Sequence, residues 1–576
     1  MKFFHVYNDH HIKGLVKNGL VNKDTGFKLQ STRNVPPELK FNQFAAKGTK
    51  FYEMIKEGKI PFYVDRIAGG GTYHYYDFDR ELIQEYKNVL GEWFLGFQLH
   101  ESGSNRRLAE WPRMIKAMGG SKGPYDLEEL KKNMKSHVFN KFGLVLYRFS
   151  QDTPEYYCNK VYAETYQEFI EEMKELFTRR LADTDNNILP CDSYYLATKL
   201  QNDLGMETFM PEVGCQIPLM RVAVALARGM ANVNDKKWGA YYECWREIKG
   251  VGYCMPCFNN ENMNEWYVTQ DQHGTDDFST CGPNGGSSRL LQDRIYHHAL
   301  MSGADLFSEE WGLNCSYTDM QEFTLSHYGI VKKEFINRAL EMGTIKAKIP
   351  FAIVLPNKYS CIELPDIFTD WNLGEHKNTY LASPLNSEEI EYFGHIEDVL
   401  KLFFARTKEI YGNEGHVLTN SLFGDLFDIV YEDTADEKLA GYEYLIDASK
   451  EGSFKKAKAN TSLKIIESAD IDALANTVNA LTKEIMPCFV NGLPWIVSYD
   501  EKGNDYLTIF NNEGNERDIK EGDIIHHEAD KVVEISFKEN TNLSVFHSLG
   551  DVKVEKIDDK NYKVFVPATG FVIFKF

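Results

Sequence analysis

The sequence predicts an α/β protein whose first part, residues 1–347, folds as a (β/α)8 TIM barrel. Two observations carry this. Short apolar runs alternate with longer amphipathic runs and show no hairpin turns between them, which is the pattern of parallel β/α units. Acidic residues stand at the ends of several of those runs, where a barrel places its active-site face. A doubly wound open sheet is the competing arrangement.

The candidate strands are 3–8, 61–67, 94–100, 143–149, 187–191, 208–213, 238–244 and 304–307. Between them the 3.6-residue apolar period predicts helices over 39–57, 79–90, 126–136, 164–181, 193–204, 217–231, 288–301 and 330–341. Arg228-Gly229 reads as a helix end, with glycine past the last turn and arginine near the negative pole of the helix dipole. A second unit, 348–485, opens on the continuous apolar run Ile349-Pro-Phe-Ala-Ile-Val-Leu-Pro356 and has further strands at 417–419, 427–431, 444–447 and 463–466. Helical stretches separate them, which predicts a flavodoxin-like α/β domain; without a glycine-rich phosphate loop it is assigned no nucleotide. From 486 to 576 the texture changes to short Val-, Ile-, Phe- and Tyr-rich runs punctuated by turn pairs, predicting a C-terminal β-sandwich.

Bulk properties narrow the function. With 64 basic against 85 acidic residues, the net charge of −21 argues against nucleic acid and anionic membrane as partners and favours a neutral ligand. Aromatic residues make up 13% of the chain, a composition that suits a carbohydrate substrate. No run reaches the roughly 18–20 apolar residues of a spanning helix. The first residues read as a strand with no secretion signal, so a cytoplasmic protein is expected. The ten cysteines are dispersed, as reduced thiols or metal ligands would be. The side domains suggest a homo-oligomer.

The chemistry-bearing residues are acids. In Met301-Ser-Gly-Ala-Asp-Leu-Phe-Ser-Glu-Glu-Trp-Gly312, a helix, a short strand and an acidic pair follow one another, putting Glu310 at a strand's C-terminal end beside Trp311. Glu101, Glu212 and Glu243 hold equivalent places after other strands. Glycoside hydrolysis needs two carboxyl groups from different strands, one to protonate the leaving oxygen and one to attack the anomeric carbon or activate water. Expected substrate-binding residues are Asp65, Arg66, His100, Glu101, Asn105, Trp245, Trp266 and Trp311, the tryptophans as flat platforms for a sugar ring. Cys254-Met-Pro-Cys257 has the spacing with which two thiolates grip zinc, and a complete structural site would recruit Cys244 and Cys281. No other cofactor is expected.

The series Glu212-Val-Gly, Gln216, Ala225-Leu-Ala-Arg-Gly229, Lys237-Trp-Gly239, Trp245, Ser287-Ser, Arg294, Ser302-Gly-Ala-Asp305, Glu310-Trp-Gly and Leu325-Ser-His-Tyr-Gly329 resembles one found in glycoside-hydrolase-like barrel proteins. The three-part order is similar to that of family-42 β-galactosidases. The resemblance implies a retaining O-glycosyl hydrolase with Glu212 as general acid/base and Glu310 as nucleophile; Glu243 stays a rival for the second role. The alternative is a non-catalytic carbohydrate-binding or scaffold barrel.

Overall fold

The computed structural model describes residues 1–7, 9–29, 44–68, 79–100, 165–191, 197–214, 220–244, 246–248, 252–256, 280–282, 284–310, 315–319, 321–360, 386–404, 412–518 and 520–576. Eight parallel strands form a nearly closed barrel. They are β1 (Lys2–Tyr7), β2 (Thr25–Leu29), β3 (Phe62–Ala68), β4 (Phe94–His100), β5 (Ile188–Cys191), β6 (Thr208–Phe209 and Glu212–Gly214, interrupted at Met210-Pro211), β7 (Lys237–Glu243) and β8 (Leu306–Glu309). Their spatial order is β5-β4-β3-β2-β1-β8-β7-β6, and the two end strands approach each other.

Period-two alternation, reset once at the irregularity around Gly96 in β4, sorts the strand residues into two cores. Phe3, Phe27, Phe62, Phe97, Phe209, Trp238 and Phe307 point outward and join the helices in one large cluster. Phe4, Tyr63, Leu95, Leu189, Met210, Tyr241 and Leu306 point inward and fill the barrel's middle. Helices start where side chains can cap them. Thr49 caps Lys50–Gly58, Asp79 caps Arg80–Leu90, Ser288 caps Arg289–Met301 and Ser326 caps His327–Met342, each accepting from a first-turn backbone N–H.

The predicted strand set is corrected at one place: β2 was missed. It carries Gly26 and Lys28, both poor strand signals, yet Lys28 is fully buried inside the barrel. Asp65 therefore lies on the third strand, not the second. Segment 143–149 lies outside the described residues. The Arg228-Gly229 helix end is also corrected. The helix runs Met220–Asn234 straight through it. A Cβ on Gly229 would fall 2.4 Å from the carbonyl oxygen of Ile429, so the glycine admits a neighbouring strand. Arg228 meets buried Asp428 at 2.6 Å, having a partner and no capping duty.

That neighbour belongs to a four-stranded parallel sheet, ordered Phe427–Tyr431, Phe351–Leu355, Tyr444–Asp447, Ile465–Glu467. The expected strand at 417–419 is buried irregular chain. Two antiparallel sheets follow. Ile345–Ala347 pairs with Trp495–Asp500, continuing through Asp505–Phe510, Phe571–Lys575 and Ser544–Leu549. Cys488–Asn491, Lys531–Phe537, Asn561–Val566 and Lys553–Lys556 form the other sheet, and both contribute to the same apolar cluster. Among the described residues no helix is long and apolar enough to cross a membrane.

Candidate active site

The site sits where β6, β7 and β8 end. In a parallel pair, residues in register face the same side of the sheet. Glu212 pairs with Tyr241, Gly214 with Glu243, and Ser308 with Tyr241. Tyr241 belongs to the inner cluster, so Glu212 and, two residues on from Tyr241, Glu243 face inward as well. Glu310 follows the last residue of β8, and its N–H donates to the carbonyl of Tyr242 at 2.8 Å. Alternation sends its neighbour the other way: Glu309 turns outward and bonds the Tyr296 hydroxyl and the Lys332 ammonium. One oxygen from each of Glu212, Glu243 and Glu310 lies within 4.8 Å of the others, and all three side chains are buried. Three acids from three strands thus converge: Glu212 and Glu310, expected as a pair, and Glu243, expected as a rival for the second role.

Gly214 makes this possible. A Cβ there would fall 2.2 Å from the carbonyl oxygen and 2.5 Å from Cγ of Glu243. Only a residue without a side chain lets the Glu243 side chain lie against β6.

Beneath the acids sits a residue the sequence reading missed. Lys28 donates to the carbonyls of Glu309 at 2.7 Å and Glu310 at 2.9 Å, and to the Tyr241 hydroxyl at 3.3 Å. Its ammonium is 4.0 Å from the buried carboxylate of Asp65. Asp65, an expected substrate binder, is therefore tied to the site through Lys28. Beside them the Tyr63 hydroxyl and Ser308 Oγ are hydrogen-bonded at 2.7 Å.

The other expected binders are placed only in part. Arg66 and His100 stand at the ends of β3 and β4, and their side chains lie outside the described residues, as do Glu101, Asn105, Trp245, Trp266 and Trp311. Of the four cysteines proposed for zinc, Cys244 lies just past β7, with its Sγ 3.3 Å from that of Cys315. Burial first, and the neighbouring Cys244 next, push the Cys315 thiol well above the ordinary range. Cys254 and Cys281 lie on paired strands, one register position apart, with their side chains outside the described residues together with Cys257.

Among the described residues two donor sets are compact enough to hold a metal ion. The three glutamates would offer hard oxygen ligands. The second set is Asp293, His297 and His547, between the helix Arg289–Met301 and the C-terminal sheet. Here His297 already has both ring nitrogens engaged, Nδ1 with the Asp293 carboxylate at 2.9 Å and Nε2 with the Arg338 guanidinium at 3.2 Å. A cation beside that guanidinium would be repelled.

No family model and no curated protein matches this sequence. Among solved structures it is similar to the catalytic module of a family 98 glycoside hydrolase from Streptococcus pneumoniae TIGR4, in complex with the H-disaccharide blood group antigen. That likeness has 9% identity and a TM-score of 0.40, and covers 100% of this chain and 98% of that one. The same module in its native form gives 10% identity and a TM-score of 0.38, with the same coverage. Alpha-L-fucosidase isoenzyme 2 from Paenibacillus thiaminolyticus gives 9% and 0.41, covering 100% and 99%. Likeness at this level carries no argument about activity and lends nothing to the family-42 domain order. The functional reading rests on the site's own geometry.

Proposed function

We propose that the protein is a glycoside hydrolase acting through Glu212 and Glu310, with Glu243 between them. The observation that supports this reading most is the convergence of three buried carboxylates, within 4.8 Å, at the C-terminal end of a parallel barrel. The spacing matches the roughly 5–5.5 Å of a retaining pair better than the roughly 6.5–9.5 Å that leaves room for an inverting water. Like charges at such separations raise one another's proton affinity, which favours the retained proton that a general acid requires.

In this reading Glu212 protonates the leaving oxygen and Glu310 attacks the anomeric carbon. Water then releases the glycosyl-enzyme with Glu212 acting as base. Glu243, on the strand between the two, shares the site's proton and keeps Glu212 in its acid form. The substrate is a neutral glycoside, in keeping with the chain's net charge of −21. The strand order of the second unit supports its reading as flavodoxin-like, and the paired antiparallel sheets support a C-terminal sandwich.

The test is turnover of an aryl-glycoside panel by the wild-type protein and by Glu212→Gln, Glu243→Gln and Glu310→Gln, with proton NMR of the first-formed anomer. Retention, loss of turnover in Glu212→Gln and Glu310→Gln, and activity surviving dialysis against EDTA are expected. Full activity in either of those variants removes that residue from the mechanism. Activity lost with EDTA and restored by Mg²⁺ or Mn²⁺ would make the acids ligands of a cation. A folded wild-type protein that binds sugars and turns over none would be a carbohydrate-binding barrel.

A further inference from the structure

We infer that Lys28 is the positioning residue of this site: its ammonium fixes the chain at Glu309-Glu310 and thereby aims the Glu310 carboxylate at Glu212 and Glu243. For its kinetic readout the inference rests on the proposed glycosidase reading.

The geometry is unusual for a strand. Carbonyls of successive strand residues point to opposite sides, yet those of Glu309 and Glu310 accept from one nitrogen, at 2.7 and 2.9 Å. The chain must therefore leave the ladder there, and the last paired residue of β8 is indeed Glu309, opposite Tyr242. The Glu310 N–H is held by the Tyr242 carbonyl at 2.8 Å, so both sides of this peptide segment are anchored, one by β7 and the other by Lys28 on β2. That fixes the direction of the Glu310 side chain. Two converging carbonyls need a donor between them, and an ammonium, with three N–H groups and no acceptor, supplies it. The third direction is taken by the Tyr241 hydroxyl at 3.3 Å, one residue from Tyr242 and two from Glu243.

Stability does not account for a lysine here. Burying an ammonium and a carboxylate costs more than filling the space with an apolar side chain of similar volume, and a buried ion pair is weak evidence for stabilisation. The inward positions towards the barrel's middle are filled mainly by apolar or aromatic side chains, among them Phe4, Tyr63, Tyr241 and Leu306. At the level of the acids Asp65, Glu212, Glu243 and Glu310, Lys28 is the buried inward-facing cation among the described residues, whereas Lys2 and Lys237 face inward at the opposite end of the barrel, over the Trp93 ring. A positive charge placed under the peptide that carries Glu310 both holds that peptide and tempers the repulsion among the acids.

The experiment uses the full chain. Lys28→Met is expected to lower kcat about 100-fold, the cost of a misplaced reacting group, while KM changes little. Lys28→Ala is expected to lose kcat similarly and to regain part of it with ethylammonium but not with ethanol, because the missing element is a donor-only cation. Wild-type kcat in Lys28→Met, or rescue by ethanol as good as by ethylammonium, overturns the inference. Lys28→Met/Asp65→Asn removes both charges together and serves if the single variant does not fold. A crystal structure of whichever variant folds gives a readout independent of turnover. The Glu310 carboxylate is expected to leave the other two, and an unmoved carboxylate overturns the inference. If the wild-type protein hydrolyses no glycoside, the catalytic reading fails while this structural comparison still judges Lys28.

Discussion

Replacing Arg221 by methionine should destabilise the protein by about 3–5 kcal/mol, the usual cost of stranding one member of a buried ion pair. Arg221 is about 1% exposed and reaches from the helix after β6 into the second unit. There it bonds Asp425 at 2.6 Å, Ser421 Oγ at 2.8 Å and the carbonyls of Thr419 and Phe423 at 3.2 and 3.3 Å. Burial pushes Asp425 up, but the Arg221 guanidinium and His298 outweigh it and hold the carboxyl well below its ordinary range. With the arginine gone, Asp425 keeps the His298 contact at 3.2 Å. Scanning calorimetry should show the melting temperature falling by about 6 °C or more, from 2–4 °C per kcal/mol in domains of 150–250 residues. Arg221→Met/Asp425→Asn should recover much of the loss, since no charge is then left alone. A single variant that melts with the wild type, or a double variant showing the plain sum of two losses, would refute the argument.

Other outcomes follow from the same kind of contact. Gly214→Ala should abolish turnover through its clash with Glu243 while far-ultraviolet dichroism stays near wild type; an active variant would show that β6 and β7 can part at no cost. Burial, then the charges of Lys332 on His5 and of His297 and Arg338 on His547, hold both histidines neutral down to about 3, against an ordinary value of 6.5. The unfolded chain takes up protons first, so this stability is fully present above pH 6.5 and is lost as the pH falls towards 3. Denaturant melts across that window should weaken with acid, and His547→Phe should flatten part of the slope; an unchanged slope counts against the assignment. Cys244 and Cys315 should resist iodoacetamide at pH 8 in the folded protein and react once it is unfolded, as thiol counting by mass spectrometry would show; labelling without unfolding would contradict their burial.

Much of the barrel was legible because apolar runs at β1, β3, β7 and β8 keep their alternation, and the run at β4 stays apolar across its irregularity at Gly96. The site was legible because acids at strand ends face inward wherever their partners do. β2 was not: Thr25-Gly-Phe-Lys-Leu29 puts a charged residue where a buried pattern demands an apolar one, and only the carbonyls of Glu309 and Glu310, some 280 positions away, account for it. The same blindness hid the role of Gly229. A glycine amid helix-forming residues reads as a stop, and nothing local reveals that the Ile429 backbone fills the space its missing side chain leaves. Local pattern reports what a residue prefers, and these two positions answer to distant partners.

The helix Met220–Asn234 has nearly every residue buried because the barrel covers one flank and the 427–431 strand the other. The helix Arg289–Met301 is enclosed in the same way, with Ser498 Oγ bonding its last carbonyl at 2.6 Å. These two helices back the strands that bear the three acids. Cutting the chain after residue 347 would leave both with raw apolar flanks and orphaned arginines. A freestanding barrel fragment should therefore aggregate, and substitutions far downstream should unsettle the placement of the three acids.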